Sequence, residues 1–376
     1  MTAPASPAPG DDRAQGAPGQ GRLAIERMVP WLAAGAPEGD AVISSRVRLA
    51  RNLAGTPFLP RATPDQRRQV YALCRDHLSR AGLADRVGWI DVHALPQSDR
   101  TLLIERHLVS REHAKGGAGP GADWPRGLCV TIPDERLSVM VNEEDHLRIQ
   151  AMRPGLNLAD ALTHASQADD MIESGLEYAF SPRFGYLTSC PTNVGCGVRM
   201  SVMLHMPALK LAGEIEKLRR AAKQLGLAVR GYYGEGTDAA GDLYQISNQT
   251  TLGKTEEQIR HDFERAVLPA VLEYERSSRR MLLEKRRRLV EDQVFRALGL
   301  LRSARLLAPE EAMTHLSLVR LGILMGLISD LDEHTVTRLF VLVQPSHLQR
   351  LLNQEMDQQR RREARADMVR KGLGGT

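Results

Sequence analysis

A chain of 376 residues with 42% hydrophobic and 26% charged side chains is long enough for more than one domain and has an ordinary globular composition. Its 50 basic residues exceed its 46 acidic residues by only four, and aromatic residues make up 4%, so the sequence predicts no nucleic-acid partner. The longest apolar run, at 321–328, is far too short to span a bilayer, so we expect no membrane association.

The cysteines and the N-terminal segment indicate the compartment. Four cysteines without a CxxC pair, in a chain without a secretory signal, predict a cytoplasmic protein that has neither disulfides nor a zinc site. Residues 1–22 are rich in Pro, Gly and Ala and lack an apolar stretch. We therefore expect a disordered tail there rather than a targeting peptide.

Hairpins and helices alternate along the first two thirds of the chain. The capping box Thr63-Pro64-Asp65-Gln66 predicts the start of a helix. Apolar runs at 127–131 and 137–141 predict a hairpin, and a third strand is expected at 146–152. Further elements are expected, namely helices at 157–174 and 207–225 and strands at 201–205, 228–231 and 243–247. This pattern predicts an α/β (α+β) fold with a largely antiparallel sheet flanked by helices.

Almost every segment after Thr255 is predicted to be helical. Thr255 and Gln258 form a second capping box, and the charged stretch 277–292 continues the helical pattern. We place a boundary at residue 265. Residues 23–265 would then form a first domain, and residues 266–376 a helical C-terminal domain.

The first segment that suggests chemistry is Ser44-Ser45-Arg46-Val47-Arg48. Side chains two residues apart on a strand project from the same face, so Arg46 and Arg48 present two guanidinium forks that suit a polyphosphate. A solvated edge strand would show the same pattern. The segment alone therefore leaves both interpretations open.

The second segment, Asn142-Glu143-Glu144-Asp145-His146-Leu147-Arg148, follows a hydrophobic strand. Adjacent carboxylates resist burial unless a cation is near, so the segment indicates a catalytic site, a metal site or a solvated turn.

Two glycine-rich segments complete the set. The loop from Ser189 to Arg199 contains Cys190 before a proline, and taken alone it favours a buried structural cysteine over a reactive one. The other segment, residues 230–236, presents one acid and by itself predicts only a turn. Together the four segments supply five arginines and two acids: Arg46, Arg48, Arg148, Arg199 and Arg230, with Glu144 and Glu235.

In this order and spacing the four segments resemble the ATP:guanidino phosphotransferase, or phosphagen kinase, family, and the resemblance runs from about residue 23 to residue 373. It implies an antiparallel sheet flanked by helices, of the type found in glutamine synthetase and creatine kinase, with residues 23–265 as the catalytic domain. The 43 residues before Ser44 are too few for the N-terminal helical domain of creatine and arginine kinases. The segments His315–Gly322 and Gln344-Pro345 resemble instead the bacterial branch that phosphorylates arginine side chains of proteins.

The resemblance also implies roles for individual residues, with ATP and Mg²⁺ as cofactors. Glu144 and Glu235 match the two catalytic carboxylates and Cys190 the active-site cysteine, whereas Cys196 stands where the family usually has threonine. His107 would lie against the adenine. The positions matched to ATP binding are Ser44, Ser45, Arg46, Val47, Arg48, His107, Arg148, Arg199, Met200, Ser201, Val202, Met203, Arg230, Gly231, Tyr232, Tyr233, Gly234 and Glu235.

Near the C-terminus, residues 361–366 resemble the family motif Arg-Asp-x-x-Arg-Ala, which forms a phosphoarginine pocket in the protein-directed branch. The resemblance implies such a pocket at Arg361, Arg362, Arg365 and Ala366. Arg362 stands where Asp is expected, and a basic solvated helix is the alternative.

The function implied is transfer of the ATP γ-phosphoryl group to arginine side chains of proteins, which marks them for Clp-type proteolysis in a cytoplasmic stress response. The implied partners are proteins with exposed arginines, an activator protein, the Clp protease machinery and a second copy of the chain in a homodimer. Two alternatives stay open. One is a kinase for free arginine or another small guanidine, which the missing N-terminal domain disfavours. The other is a phosphoarginine-binding adaptor without catalysis, which the intact acids and arginines disfavour.

Overall fold

The computed structural model describes residues 29–115, 124–233 and 239–375. The tail predicted at residues 1–22 lies outside these ranges, as do Gly234 and Glu235 of the fourth segment. Among the described residues, no helix is long and apolar enough to cross a membrane.

An eight-stranded antiparallel sheet forms the centre of the molecule and confirms the predicted fold class. The large sheet contains β1 (Val42–Arg51), β2 (Val87–Asp91), β3 (Gly127–Thr131), β4 (Leu137–Val141), β5 (Leu147–Pro154), β8 (Val198–His205), β9 (Leu227–Arg230) and β10 (Leu243–Asn248). A separate two-stranded hairpin contains β6 (Phe180–Ser181) and β7 (Gly185–Tyr186). Their order across the large sheet is β2-β3-β4-β5-β1-β8-β10-β9, so β1 lies near its middle.

Helices cover both faces of the sheet and make up most of the C-terminal third. They are α1 (Pro64–Leu78), α2 (Gln97–Glu105), α3 (Leu158–Glu173), α4 (Pro207–Leu211), α5 (Ile215–Gln224), α6 (Glu256–Asp262), α7 (Leu268–Lys285), α8 (Arg287–Ser303), α9 (Pro309–Leu324), α10 (Glu333–Leu342), α11 (Pro345–Leu351) and α12 (Gln358–Gly372). A π-helical turn, Phe263–Val267, joins α6 to α7. The domain boundary placed at residue 265 falls in this helical stretch and stays a prediction.

Both predicted capping boxes are confirmed. Thr63 Oγ1 accepts a hydrogen bond from the Gln66 backbone N–H at 3.3 Å, and the Gln66 side chain accepts one from the Thr63 N–H at 2.9 Å. Thr255 and Gln258 make the same reciprocal pair at the start of α6. Each box satisfies two amides that the first helical turn leaves without a partner.

Two predicted helices are interrupted. The helix expected at 207–225 is divided into α4 and α5 by Gly213, whose φ of +78° suits glycine because it lacks a Cβ. The charged stretch at 277–292 is divided at Arg286, whose backbone leaves the helical region at φ −136°. Hydrophobic periodicity continues through both interruptions, so it could not reveal them.

Each face of the sheet packs against its own core. Val47 and Leu49 of β1 lie in the core formed with α1, α3 and α7. On the opposite face, Met152 and Met203 belong to a core with helices of the C-terminal third. Arg46 lies directly opposite Met152 in the ladder and therefore shares that second face. The C-terminal helices thus cover part of this face and leave the arginines of β1 beside a cleft.

Candidate active site

A cleft of about 660 Å³ opens over the face of the sheet that carries Arg46. Its walls come from six strands, from the end of α2, from the turn between β4 and β5, and from the segments that follow α2 and β9. The lining residues are Arg46, Arg48, Ile104, His107, Val109, Ser110, Arg111, Glu112, Met140, Glu143, Glu144, Arg148, Gln150, Arg199, Arg230, Tyr233 and Gln245. All five arginines singled out from the sequence are among them.

Strand register explains why these arginines converge. Arg46 and Arg48 alternate with buried residues along β1, as predicted. Arg199 of β8 lies directly opposite Arg48, and Arg148 of β5 lies opposite Ala50. Like charges at directly opposite positions of a ladder are unfavourable. The fold therefore holds a set of mutually repelling cations in one place.

Burial and mutual repulsion lower the pKa values of Arg46 and Arg48. Burial, together with repulsion from Arg199, Arg148 and Arg230, lowers the pKa of Arg46 to about 10. Burial and the neighbouring arginines also lower the pKa of Arg48. Arg46 Nη2 donates to Gln245 Oε1 at 2.7 Å, while Arg48 Nε has no hydrogen-bond partner in the described structure. With a pKa of about 10, Arg46 stays cationic at neutral pH, and a bound polyanion would relieve the repulsion among the cleft arginines.

The acidic segment forms the turn between β4 and β5. Arg148 is held by two carboxylates at 2.8 Å each, Glu143 through Nη1 and Glu144 through Nη2. Ser110 Oγ donates to Glu143 at 2.6 Å. Burial would raise the pKa of Glu143, but Arg148 and Ser110 outweigh it and lower that pKa. The Glu144 side chain is 45% exposed at the mouth of the turn, within reach of an incoming molecule.

Asp145 joins this turn to the cysteine loop. Its Oδ1 accepts hydrogen bonds from Asn52 Nδ2 and from the Ser189 backbone N–H, both at 2.7 Å. Cys190 follows directly, with its Sγ 3.1 Å from Thr192 Oγ1. Asn193 of the same loop lines a small cavity beside the cleft, shared with Arg48, Arg148 and Arg199. Cys190 therefore lies in a loop bordering the cleft but does not itself line the cleft.

The other end of the cysteine loop has a structural role. Cys196 Sγ contacts the Thr251 carbonyl oxygen at 3.6 Å, and burial raises the pKa of this thiol to about 11. Arg51, paired with Asp169, donates to the Cys196 carbonyl oxygen at 3.1 Å. Gly195 adopts φ +117°, and a Cβ there would lie 2.6 Å from the Thr251 oxygen. These contacts fix the loop where it enters β8.

Aromatic rings close one wall of the cleft. His107 lies edge-on to Trp31 and Tyr232, at 5.1 and 5.0 Å between ring centroids, and stacks on Tyr233 at 6.1 Å. Burial, with the charges of Arg46 and His347, lowers the pKa of His107 to about 3. The imidazole is therefore neutral and offers a flat apolar surface.

Several residues matched to ATP binding have side chains that do not face the cleft. Val47, Met200 and Val202 are fully buried in the core on the opposite face. Ser45 Oγ donates to the Gly155 carbonyl oxygen at 2.7 Å. Met203 belongs to the core beside the C-terminal helices. Their positions on β1 and β8 support the arginines between them.

The structure adds cleft residues that the sequence did not single out. Glu143 was seen only as one of three acids, because the family resemblance singled out its neighbour Glu144. Ser110 and Arg111 follow α2, and the Arg111 guanidinium lies 4.8 Å from the centroid of the Tyr233 ring. Gln245 lies in β10, which also contains Ser247 and Asn248, so polarity alone did not single it out.

A second cavity, of about 440 Å³, lies among the C-terminal helices and contains most of the predicted phosphoarginine pocket. It is lined by Ala308, Pro309, Glu310, Pro345, Gln358, Arg361, Arg362 and Arg365. Arg365 is buried, donating through Nε to Val343 O at 2.6 Å and through Nη1 to Leu307 O at 2.9 Å. Burial lowers its pKa to about 10 although Glu310 opposes the shift. Ala366 packs in the adjacent core instead.

A metal ion would have few protein ligands. Within the ranges that the structure describes, no group of three or more His, Cys, Asp or Glu side chains is arranged to hold one. Magnesium commonly binds through substrate phosphates, waters and one or two carboxylates. The cleft, with Glu143 and Glu144 beside the arginines, suits an ion that arrives with a phosphate ligand.

Comparisons with known proteins agree with this arrangement. The family model described as ATP:guanido phosphotransferase, C-terminal catalytic domain, matches residues 69–278, and that described as protein-arginine kinase McsB C-terminal domain matches residues 287–376. The protein-arginine kinase of Halothermothrix orenii is 43% identical over 351 residues, which cover 93% of this chain and 98% of the relative. That of Halalkalibacterium halodurans is 41% identical over 353 residues, covering 94% and 97%.

Solved structures share the fold. The duplicated taurocyamine kinase from Schistosoma mansoni with bound transition state analog components superposes with a TM-score of 0.55 at 30% identity. The match covers 62% of this chain and 33% of that one, so the chain spans about a third of the duplicated enzyme. Lombricine kinase gives a TM-score of 0.53 at 27% identity and covers 69% of this chain and 71% of its own.

Arg46→Ala should weaken binding of inorganic tripolyphosphate. We expect this anion to raise the melting temperature of the unaltered protein, because a ligand that binds only the folded state stabilises it. The variant loses a charge-assisted contact of roughly 1.5–3 kcal/mol, so its shift should be smaller. Thermal melts at low and high salt measure both shifts. Arg136→Ala, which removes an exposed arginine beside Asp134, is the control, and equal shifts in the two variants would contradict the assignment.

Proposed function

The chain belongs to the ATP:guanido phosphotransferase family and, within it, to the protein-arginine kinases, and from this we propose that it transfers the γ-phosphoryl group of ATP to arginine side chains of proteins. The observation that carries the proposal is the convergence of five arginines and the Glu144 carboxylate on one cleft. The relatives named protein-arginine kinase and the match to their C-terminal domain support the choice of substrate.

In this proposal the arginines of the cleft bind the phosphates of ATP. Arg46, Arg48 and Arg199 supply guanidinium donors along two neighbouring strands, and the neutral ring of His107 lies against the adenine. Mg²⁺ bound through the nucleotide phosphates would supply positive charge that offsets the charge of the transferring phosphoryl group. Because the cations are already fixed by the sheet, they stabilise the transition state without rearrangement.

The substrate guanidinium is a poor nucleophile, so its phosphorylation requires carboxylates that orient it and accept its proton. The lone pairs of a guanidinium are delocalised, and its pKa exceeds about 12. Glu144, with Glu235 as the second carboxylate, would clamp the planar group, direct one nitrogen at the γ-phosphorus and accept its proton. Base catalysis of this kind contributes roughly 10²–10⁴-fold. The N–P bond forms as the bond to the ADP oxygen breaks.

Cys190 is given a positioning role. Its loop is tied to the acidic turn through Ser189 and Asp145, which supports a position for the thiol near the substrate guanidinium. Direct in-line transfer needs no covalent enzyme intermediate.

The partners and the compartment belong to the same proposal. Protein substrates with exposed arginines, an activator, the Clp protease machinery, a homodimer and a cytoplasmic stress response are what the protein-arginine kinase assignment leads us to expect. A small-guanidine kinase and an adaptor without catalysis are the two alternatives, and one assay separates them.

Glu144→Gln should abolish most transfer while nucleotide binding survives, because the acid faces the acceptor. Pure protein is incubated with ATP, Mg²⁺ and either casein or free arginine, and acid-labile arginine-linked phosphate is counted. We expect a loss of about 10²–10⁴-fold with casein. Glu273→Gln, at an exposed acid paired with Arg280, should keep full activity.

Each other result of this assay supports a different function. Labelling of free arginine but not of casein would favour the small-guanidine kinase. Nucleotide binding without transfer to either acceptor would favour the adaptor. Near-normal turnover of Glu144→Gln would refute the carboxylate clamp.

Cys190→Ala should lower protein phosphorylation more than Cys196→Ala. Cys190 borders the cleft, whereas Cys196 is tied to the Thr251 carbonyl oxygen away from it. Initial rates with casein, compared at equal folded fraction by circular dichroism, measure the difference. Equal tolerance of both substitutions would remove Cys190 from the site.

We also propose that the C-terminal cavity binds phosphoarginine and that modified proteins thereby stimulate the kinase. Arg361 and Arg362 lie at the cavity beside the buried Arg365, and Arg362 Nε has no hydrogen-bond partner in the described structure. Guanidinium groups bind phosphate through paired donors. With Arg362 in place of the expected Asp, selectivity for phosphoarginine over phosphoserine should be reduced.

Arg361→Ala should abolish stimulation of casein phosphorylation by a phosphoarginine peptide. A phosphoserine peptide of the same sequence tests selectivity, and the unphosphorylated peptide is the control. Rates at several peptide concentrations give the apparent affinity. Lack of response in the unaltered enzyme would show that this chain has no such regulation.

A further inference from the structure

Gln344 lies in the C-terminal third, yet it contacts the cleft. Its Oε1 accepts a hydrogen bond from the Tyr233 hydroxyl at 2.6 Å, and Tyr233 lines the cleft and stacks on His107. Gln344 is 5% exposed, and its Nε2 donates to the Phe340 carbonyl oxygen at 2.9 Å. The acceptor oxygen is therefore held in place by α10 and directed at the tyrosine.

The residues after Gln344 make a second connection to the same wall. The Glu105 carboxylate, at the end of α2, accepts hydrogen bonds from the backbone N–H groups of Ser346 and His347, both at 2.9 Å. His347 Nδ1 lies 3.0 Å from Glu105 Oε2. His107 follows Glu105 by two residues. The segment from Gln344 to His347 is therefore connected to both rings of the wall, to Tyr233 directly and to His107 through Glu105.

Glu105 and His347 are buried, so the hydrogen bonds between α2 and α11 are costly to break. The side chains of Glu105 and His347 are 2% and 3% exposed, so neither can exchange its protein partner for water without the helices separating. Burial, together with the charges of neighbouring groups, also raises the pKa of Tyr233, which therefore remains a hydroxyl donor at every working pH. Gln344 is the buried partner in this part-buried hydrogen bond, and removing its acceptor oxygen releases the Tyr233 hydroxyl from a fixed position.

We propose that Gln344 is a positioning residue for nucleotide binding: by accepting the Tyr233 hydrogen bond it fixes the ring pair Tyr233–His107 that forms the wall of the cleft. The inference rests on the proposed function, because it assigns that wall to the nucleotide. Gln344 does not touch the reacting atoms. Its removal should therefore change the affinity for ATP and leave the transfer step nearly unchanged.

The test compares substitutions that separate the acceptor from the rest of the side chain. Gln344→Met keeps the volume and removes both polar atoms, whereas Gln344→Glu keeps an acceptor for Tyr233 and loses the donor to Phe340. Gln349→Met is the matched control, since Gln349 donates to Pro345 O and accepts from Met356 N–H without contacting the cleft. Tyr233→Phe removes the other half of the hydrogen bond.

Calorimetry with Mg²⁺ and a non-hydrolysable ATP analogue gives Kd, and casein phosphorylation gives KM and kcat. We expect Gln344→Met and Tyr233→Phe each to raise Kd and the KM for ATP roughly 2- to 10-fold, with kcat within about twofold. The double variant should be no weaker than the worse single one, because both remove the same interaction. Gln349→Met should bind as the unaltered enzyme does, whereas Gln344→Glu, which keeps the acceptor for Tyr233 but loses the hydrogen bond to Phe340, should give a Kd between those of the unaltered enzyme and Gln344→Met.

Each other result overturns the inference. Unchanged Kd in a folded Gln344→Met or in Tyr233→Phe would show that the wall does not depend on this hydrogen bond. Equal weakening by Gln344→Met and Gln349→Met would show a general loss of C-terminal packing. If Gln344→Met does not fold, Tyr233→Phe and Gln344→Glu decide alone. Failure of the unaltered protein to bind the analogue would instead refute the proposed function.

Discussion

Repulsion among the cleft arginines is the constraint on which the site depends. Arg48 and Arg199 lie directly opposite each other in the sheet, and burial together with repulsion from Arg199, Arg148 and Arg230 lowers the pKa of Arg46 to about 10. Such an arrangement is unfavourable by itself, and it persists because β1 lies near the middle of eight paired strands with a packed core behind it. A polyanion bound there would relieve the repulsion that the packed core sustains.

The acidic turn moderates this repulsion by pairing two carboxylates with Arg148. Glu143 and Glu144 both hold Arg148, but only Glu143 is sealed by Ser110, with a side chain 4% exposed. Glu144 stays open to solvent. Two neighbouring acids therefore do different work, one fixing the cation and the other available to a substrate. The Asp145 carboxylate, which binds Asn52 and Ser189, keeps the cysteine loop in register with both.

Local patterns in the sequence predicted much of this. Alternation along β1 placed Arg46 and Arg48 on one face, and both capping boxes set helix starts correctly. The contact between Tyr233 and Gln344, 111 residues apart, could not be predicted, because no local spacing encodes it. Periodicity also missed the break at Gly213 and could not separate Glu143 from Glu144. Family resemblance supplied roles for whole segments, whereas strand alternation directs Val47, Met200 and Val202 away from the cleft.

The neutral imidazole of His107 has a consequence for how the cleft responds to acidity. With a pKa of about 3 for His107 and about 10 for Arg46, neither group changes charge between pH 5 and pH 8. A phosphate monoester, by contrast, takes up its last proton near pH 6. In mild acid the charges of these two groups therefore stay constant, whereas the charge of a phosphate ligand varies.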